Sequence, residues 1–226
     1  MISHDHKLIF VHIPKCAGTS VEAFFGHHAD YDGRFKQDHR TMREIEPLYR
    51  GLTALSDREN RKLILRRLAR AVRSQRNPRN KYRVNARQFR EYYKFTILRD
   101  PWSRVYSGYR NVIRDAHHTR RRGPIRDFQD FVEKFAGRTR LAPADYWLAN
   151  FDGKVRMDRI VYFSDLSGGL AKVAQDLGLD KIELPKMLHT GDNTDLREVY
   201  DDRSRAIIQD RYAKEIEDHG FSFDLV

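Results

Sequence analysis

The chain has 226 residues, 40% apolar and 12% aromatic, with 43 basic side chains against 32 acidic ones for a formal net charge of +11. This composition excludes global disorder, and the length is enough to bury one substantial core. The single cysteine, Cys16, excludes an internal disulfide framework and a multi-cysteine zinc site and points to a reducing cytoplasm.

In chain order, the first element is the apolar run Lys7 to Ile13, ended by Pro14, which reads as a strand buried on both faces of a parallel sheet. A small-residue turn follows, and a helix is expected to begin near Thr19. The segment from Arg58 to Arg90 then holds thirteen basic residues and the one acid Glu59, so the rest of the chain is close to neutral. Ser56 and Glu59 have the spacing of a capping box, and Ile64, Leu65, Leu68, Ala71 and Val72 form one helical face, so 56–90 reads as a basic helical elaboration. A second strand is expected over Lys94 to Leu98, closed by Arg99, Asp100 as N-cap and Pro101 at the first helical position. An amphipathic helix follows from about Ile125 to Phe135, with Phe128, Val132 and Phe135 on its apolar side. A third strand spans Arg159 to Phe163, leading through Ser164 and Asp165 to a helix that Gly178 terminates. A last helix covers about Arg203 to Asp218. Strand, turn and helix alternate, so the expected fold is α/β, with a P-loop-like, mainly parallel sheet flanked by helices in a single domain over 1–226. No run approaches the ~20 apolar residues that span a bilayer, and no signal-peptide pattern opens the sequence, so a cytoplasmic protein is expected.

Two loops read as anion sites. The stretch His12 to Ser20 leaves a buried strand and enters a helix through Lys15, Cys16, Ala17, Gly18, Thr19 and Ser20. Small residues let a ligand approach the backbone, the helix start favours an anion, and the hydroxyls and Lys15 add donors. An ordinary strand-to-helix turn with a solvated lysine is the alternative. The Walker A order is absent because the lysine precedes the glycine, which disfavours a nucleotide kinase. The second stretch, Arg99 to Tyr109, places Arg99 at the carboxyl end of a strand, where open α/β sheets bind ligands. Arg104 and Ser107 share a face of the following helix, and a guanidinium with a hydroxyl suits a second phosphate. A structural ion pair is the alternative there.

The order, strand context and separation of HIPKCAGTS and RDPWSRVYSGY resemble the two nucleotide signatures of sulfotransferases that use 3′-phosphoadenosine 5′-phosphosulfate (PAPS). The first is most similar to the carbohydrate branch, which includes uronyl 2-O-type enzymes and the bacterial sulfotransferase family 2. DHRTMREI around His39 and DRSRAIIQDRYAKEIEDHGF near the C-terminus resemble further parts of that branch. Ser164 and Asp165 stand where relatives often carry a glutamate-containing segment, and the basic insert matches no part of the branch.

The resemblance implies sulfuryl transfer from PAPS to an acceptor hydroxyl, with a carbohydrate favoured by the branch, and without a metal. It assigns Lys15 to the leaving group, the loop Lys15, Cys16, Ala17, Gly18, Thr19 and Ser20 to the 5′-phosphosulfate, and Arg99 and Ser107 to the 3′-phosphate. His39 is the expected base, with His189 as second candidate. His12 reads as structural, and His4, His6, His27, His28, His117 and His118 lack accompanying metal ligands. Cys16 lacks the arginine six positions on that a phosphatase nucleophile needs, leaving packing or a regulatory thiol. The main alternative function is an anionic-polymer or nucleic-acid binder built on Arg58 to Arg90, whose charges also suit an acidic acceptor.

Overall fold

The computed structural model describes residues 1–48, 57–114, 124–184 and 194–225. In chain order its regular elements are β1 (Ile2–Ser3), β2 (Leu8–Val11), α1 (Gly18–Phe24), α2 (Met42–Ile45), α3 (Arg58–Val72), α4 (Ala86–Glu91), β3 (Tyr93–Leu98) and α5 (Pro101–Arg114). They continue with α6 (Phe128–Phe135), α7 (Ala144–Leu148), β4 (Arg159–Tyr162), α8 (Leu166–Asp176), α9 (Leu196–Val199), α10 (Asp202–Arg211) and α11 (Ala213–His219). The chain divides into two units, the first from Met1–Ile13, Ala17–Leu98 and Asp145–Met187, the second from Pro14–Cys16, Arg99–Ala144 and Leu188–Val226.

The first unit carries one sheet in the order β1-β2-β3-β4. β2, β3 and β4 run parallel, with Phe10 opposite Phe95 and Ile97 opposite Val161. The short β1, which no sequence pattern announced, adds antiparallel at the edge with Ile2 opposite Ile9. This is the expected α/β fold with a mainly parallel sheet. All four residues of β2 are buried, as a strand covered on both faces requires. The strand is shorter than the apolar run because Ile13 N–H turns back to the Val11 carbonyl at 3.1 Å. α8 lies on β4 and is capped by Asp165, which accepts from Gly168 N–H at 3.1 Å. Gly169 permits the close approach, since a Cβ there would fall 2.5 Å from Val161 Cγ1.

The basic insert folds onto this unit as α3, a 3₁₀ turn at Pro78–Lys81 and α4. Two expectations for α3 are corrected. Its cap is Asp57, whose carboxylate accepts from Asn60 N–H at 2.8 Å; Ser56 lies outside the described residues. Its inner face is formed by Asn60 and Leu63, whereas Leu65, Leu68 and Val72 are 66%, 56% and 90% exposed. Polar side chains fix the inner face: Asn60 Nδ2 donates to the Phe151 carbonyl at 2.9 Å and Arg67 donates to the Glu46 carbonyl.

The second unit is helical. Trp102 and Val105 of α5, Phe131 of α6, Ile208 of α10 and Tyr212 belong to one buried apolar cluster. α6 begins at Phe128 behind the cap Asp127, later than the apolar pattern suggested. The single helix expected over Arg203 to Asp218 is two, because Tyr212 leaves helical geometry between α10 and α11. Its hydroxyl donates to the Leu141 carbonyl and accepts from Gly137 N–H at 2.8 Å, an anchorage that overrides local helix propensity. Among the described residues no helix is long and apolar enough to cross a membrane.

Candidate functional site

In the first unit, β2 delivers the chain to His12, a buried residue whose Nδ1–H donates to Glu22 Oε1 at 2.9 Å. Glu22 sits on α1 and is completely buried. Its Oε2 accepts from His28 Nε2–H at 3.1 Å and its Oε1 also accepts from Asp38 N–H at 3.0 Å. Burial opposes ionisation of Glu22, but the His12 charge and the hydrogen bonds from His12 and His28 hold the carboxyl well below its usual range. The His12 ring occupies the space beside Gly18, where a Cβ would fall 2.1 Å from His12 Cδ2. Gly18 is therefore required by this packing.

Gly18, Thr19 and Ser20 form the first turn of α1, which no side chain caps. Its opening amides thus lack the usual side-chain acceptor, the condition under which a helix start takes an anion. Lys15 and Ala17 both hold positive φ, at 72° and 57°. Left-handed backbone costs a non-glycine residue about 1–2 kcal/mol, so the turn is held in a conformation its residues do not prefer.

His39 lies in the same unit with its ring centroid 4.2 Å from that of His12. Its Nδ1 is 3.2 Å from the His12 carbonyl, and because a carbonyl only accepts, Nδ1 carries the proton. The neutral ring then has its lone pair on Nε2, the form a general base needs. His12 is structural, as its place in the Glu22 cluster shows.

The second unit contains Lys15, Cys16, Arg99 and Ser107. Burial, with the charges of Arg99, Arg114 and Arg140, lowers Lys15 to about 8. A lysine surrounded by cations marks a place where positive charge is concentrated for an anion. Arg99 is half-buried, and its Nε–H donates to Ser103 Oγ at 2.9 Å. Ser103 in turn donates its hydroxyl to Asp100, which caps α5 by accepting from Ser103 N–H at 2.7 Å. Ser107 follows one turn later on α5 and is half-buried.

Arg104 does not take part in such a grip. It is fully buried, its Nη2 donates to the Ala142 carbonyl at 3.1 Å and lies 3.5 Å from Glu215 Oε2. It faces Tyr212 at 5.3 Å from the ring centroid, so the expected Arg104 and Ser107 pairing gives way to a structural ion pair inside the helical unit. Cys16 is buried, its Sγ–H directed at the Pro14 carbonyl 3.8 Å away. Burial pushes its thiol up to about 11 against the charges of Arg104 and Arg99, which suits packing and not a reactive thiolate.

The predicted residues thus fall in two groups: Ala17, Gly18, Thr19, Ser20 and His39 in the first unit, and Lys15, Cys16, Arg99 and Ser107 in the second. His189, His117 and His118 lie outside the described residues. Among the described residues no cluster of metal-ligating side chains forms. Sequence reasoning missed Glu22 and Ser103. Ser103 had a signal, lying four residues from Arg99 and three from Asp100; Glu22 had none, because its partners are set by the fold.

A family model described as the sulfotransferase family matches residues 1–222. No curated protein and no solved structure matches the chain.

Proposed function

The chain belongs to the sulfotransferase family and its chemistry is sulfuryl transfer; from this premise we propose PAPS as donor, a hydroxyl, preferably on a carbohydrate, as acceptor, and Lys15 and His39 as the catalytic residues. The extent of the match supports reading the chain as one sulfotransferase domain. The observation that carries the assignment is the Lys15 loop itself, which resembles the 5′-phosphosulfate signature and holds Lys15 in left-handed backbone, with its ammonium lowered to about 8 by burial and by the charges of Arg99, Arg114 and Arg140.

In this reading Lys15 Nζ–H donates to the bridging oxygen as the bond from sulfur to the 5′-phosphate breaks. The amides of Gly18 and Thr19, the neighbouring Cys16 and Ala17 backbone and the hydroxyls of Thr19 and Ser20 hold that phosphate. Arg99, oriented by Ser103, binds the 3′-phosphate together with Ser107. His39 Nε2 takes the proton of the acceptor hydroxyl as its oxygen bonds to sulfur. Positioning and charge neutralisation supply most of the acceleration in such transfers, and the base contributes roughly 10²–10⁴.

Thermal unfolding with adenosine 3′,5′-bisphosphate, ATP and duplex DNA tests the assignment. A ligand at 100 times its Kd stabilises the fold by about 2.7 kcal/mol. Saturable stabilisation by the bisphosphate alone is expected; preference for ATP, or no response, overturns it.

A further inference from the structure

Within the first unit, the outer face of α3, opposite its buried Asn60 and Leu63, carries Leu65, Leu68, Ala69 and Val72, all exposed. Their spacing of three and four residues sets them within about 100° of arc along two turns, roughly 10 Å of helix. The packing of α3 does not require them, since a helix held to its core by one face needs only polar residues on the other. Cations surround the stripe. Arg61 stands on the same line one turn before Leu65, Lys62 and Arg66 border one side, and Arg73 closes the C-terminal end, all four exposed. Arg66 is held in place, its Nη1–H donating to the Tyr146 hydroxyl at 2.6 Å. Glu59, 3.4 Å from Lys62, is the one acid of the helix.

We propose that this face docks on an anionic lipid bilayer, with α3 lying in the plane of the surface, Leu65, Leu68 and Val72 at the boundary between headgroups and acyl chains, and the flanking cations against lipid phosphates. An apolar stripe bordered by long basic side chains suits such an interface, because the stems stay with the apolar layer while the charged heads reach the phosphates. α3, with 15 residues, is about 22 Å long and too charged to cross a bilayer, so it lies along the surface. Charge complementarity selects this occupant. A second copy would bring the same cations face to face with only Glu59 to offset them, and a nucleic acid would meet the cations and leave the leucines in water. The face shares no residue with the Lys15 and Arg99 group and does not depend on the sulfuryl-transfer assignment.

Co-sedimentation of the full chain with vesicles of phosphatidylcholine and phosphatidylglycerol in equal parts, and with vesicles of phosphatidylcholine alone, tests the proposal. Binding to the mixed vesicles that weakens as salt rises is expected, with none to phosphatidylcholine. Leu65→Gln with Leu68→Gln and Val72→Gln changes only exposed side chains, so the Tm should stay unchanged while vesicle binding falls by roughly tenfold or more. No binding to the mixed vesicles, equal binding to phosphatidylcholine, or binding that the triple substitution leaves intact overturns the proposal. A wild-type dimer or a duplex-DNA complex that the triple substitution dissolves also overturns it, assigning the face to a second copy or to nucleic acid.

Discussion

His39 gives its Nδ1–H to the carbonyl of His12 at 3.2 Å, so a residue of the loop after β2 sets the tautomer of the histidine that lies 27 positions on. The bond leaves the Nε2 lone pair as the basic position. His39→Ala is expected to lower kcat by about 10²–10⁴. Binding of adenosine 3′,5′-bisphosphate should be unchanged, which separates loss of the base from loss of the fold. Activity within a factor of two of the wild type would move the base elsewhere.

As the proposed donor, Lys15 should set an alkaline limb in the rate profile. Its charged form is the donor, and with a value of about 8 it loses the proton as pH rises through that point. Hence kcat/KM should fall above pH 8. Lys15→Arg keeps its charge across this range, so its alkaline limb should vanish even where its rate is lower. Persistence of the same limb in Lys15→Arg would assign it to another group.

Arg99 should discriminate the 3′-phosphate. A charge-assisted hydrogen bond is worth about 1.5–3 kcal/mol, so Arg99→Ala is expected to weaken adenosine 3′,5′-bisphosphate by roughly 10- to 100-fold. Binding of 5′-AMP should hardly change. Ser103→Ala, which removes the partner of Arg99 Nε, should give the same preference in smaller measure. Equal losses for both nucleotides would place Arg99 outside the 3′-phosphate contact.

Glu22 is a stability element. Removing one partner of a buried ionic cluster costs about 3–5 kcal/mol, the range expected for Glu22→Ala in denaturant unfolding. Because its folded value lies below the ordinary glutamate value of 4.5, the ionised carboxylate stabilises above that pH, and the contribution is lost as pH falls. The gap between wild type and Glu22→Ala should therefore narrow on acidification below pH 4.5. A gap independent of pH would mean that Glu22 acts by packing alone.

The parallel strands were legible because a strand covered on both faces writes itself as an unbroken apolar run, as LIFV and FTIL do. The two-residue β1 left no such trace. On α3 the periodicity pointed outward, since the inner face is held by Asn60 and by the stems and carbonyl bonds of arginines that a hydrophobic count discards. Arg99 and Arg104 are equally plausible phosphate ligands in the string of letters. What separates them is Glu215, 111 residues beyond Arg104, a distance across which no local spacing speaks. The loop residues were proposed from the sequence for the opposite reason, because an anion turn needs its small residues, hydroxyls and lysine close together in the chain.

Transfer of radiolabelled sulfuryl from PAPS to a panel of hydroxyl acceptors that includes uronic-acid-containing and neutral glycans tests the central claim most directly. The account predicts label on a carbohydrate with the wild type, and loss of most transfer in both Lys15→Ala and His39→Ala. Label appearing undiminished in Lys15→Ala, or no label on any acceptor while adenosine 3′,5′-bisphosphate binds saturably, would contradict it.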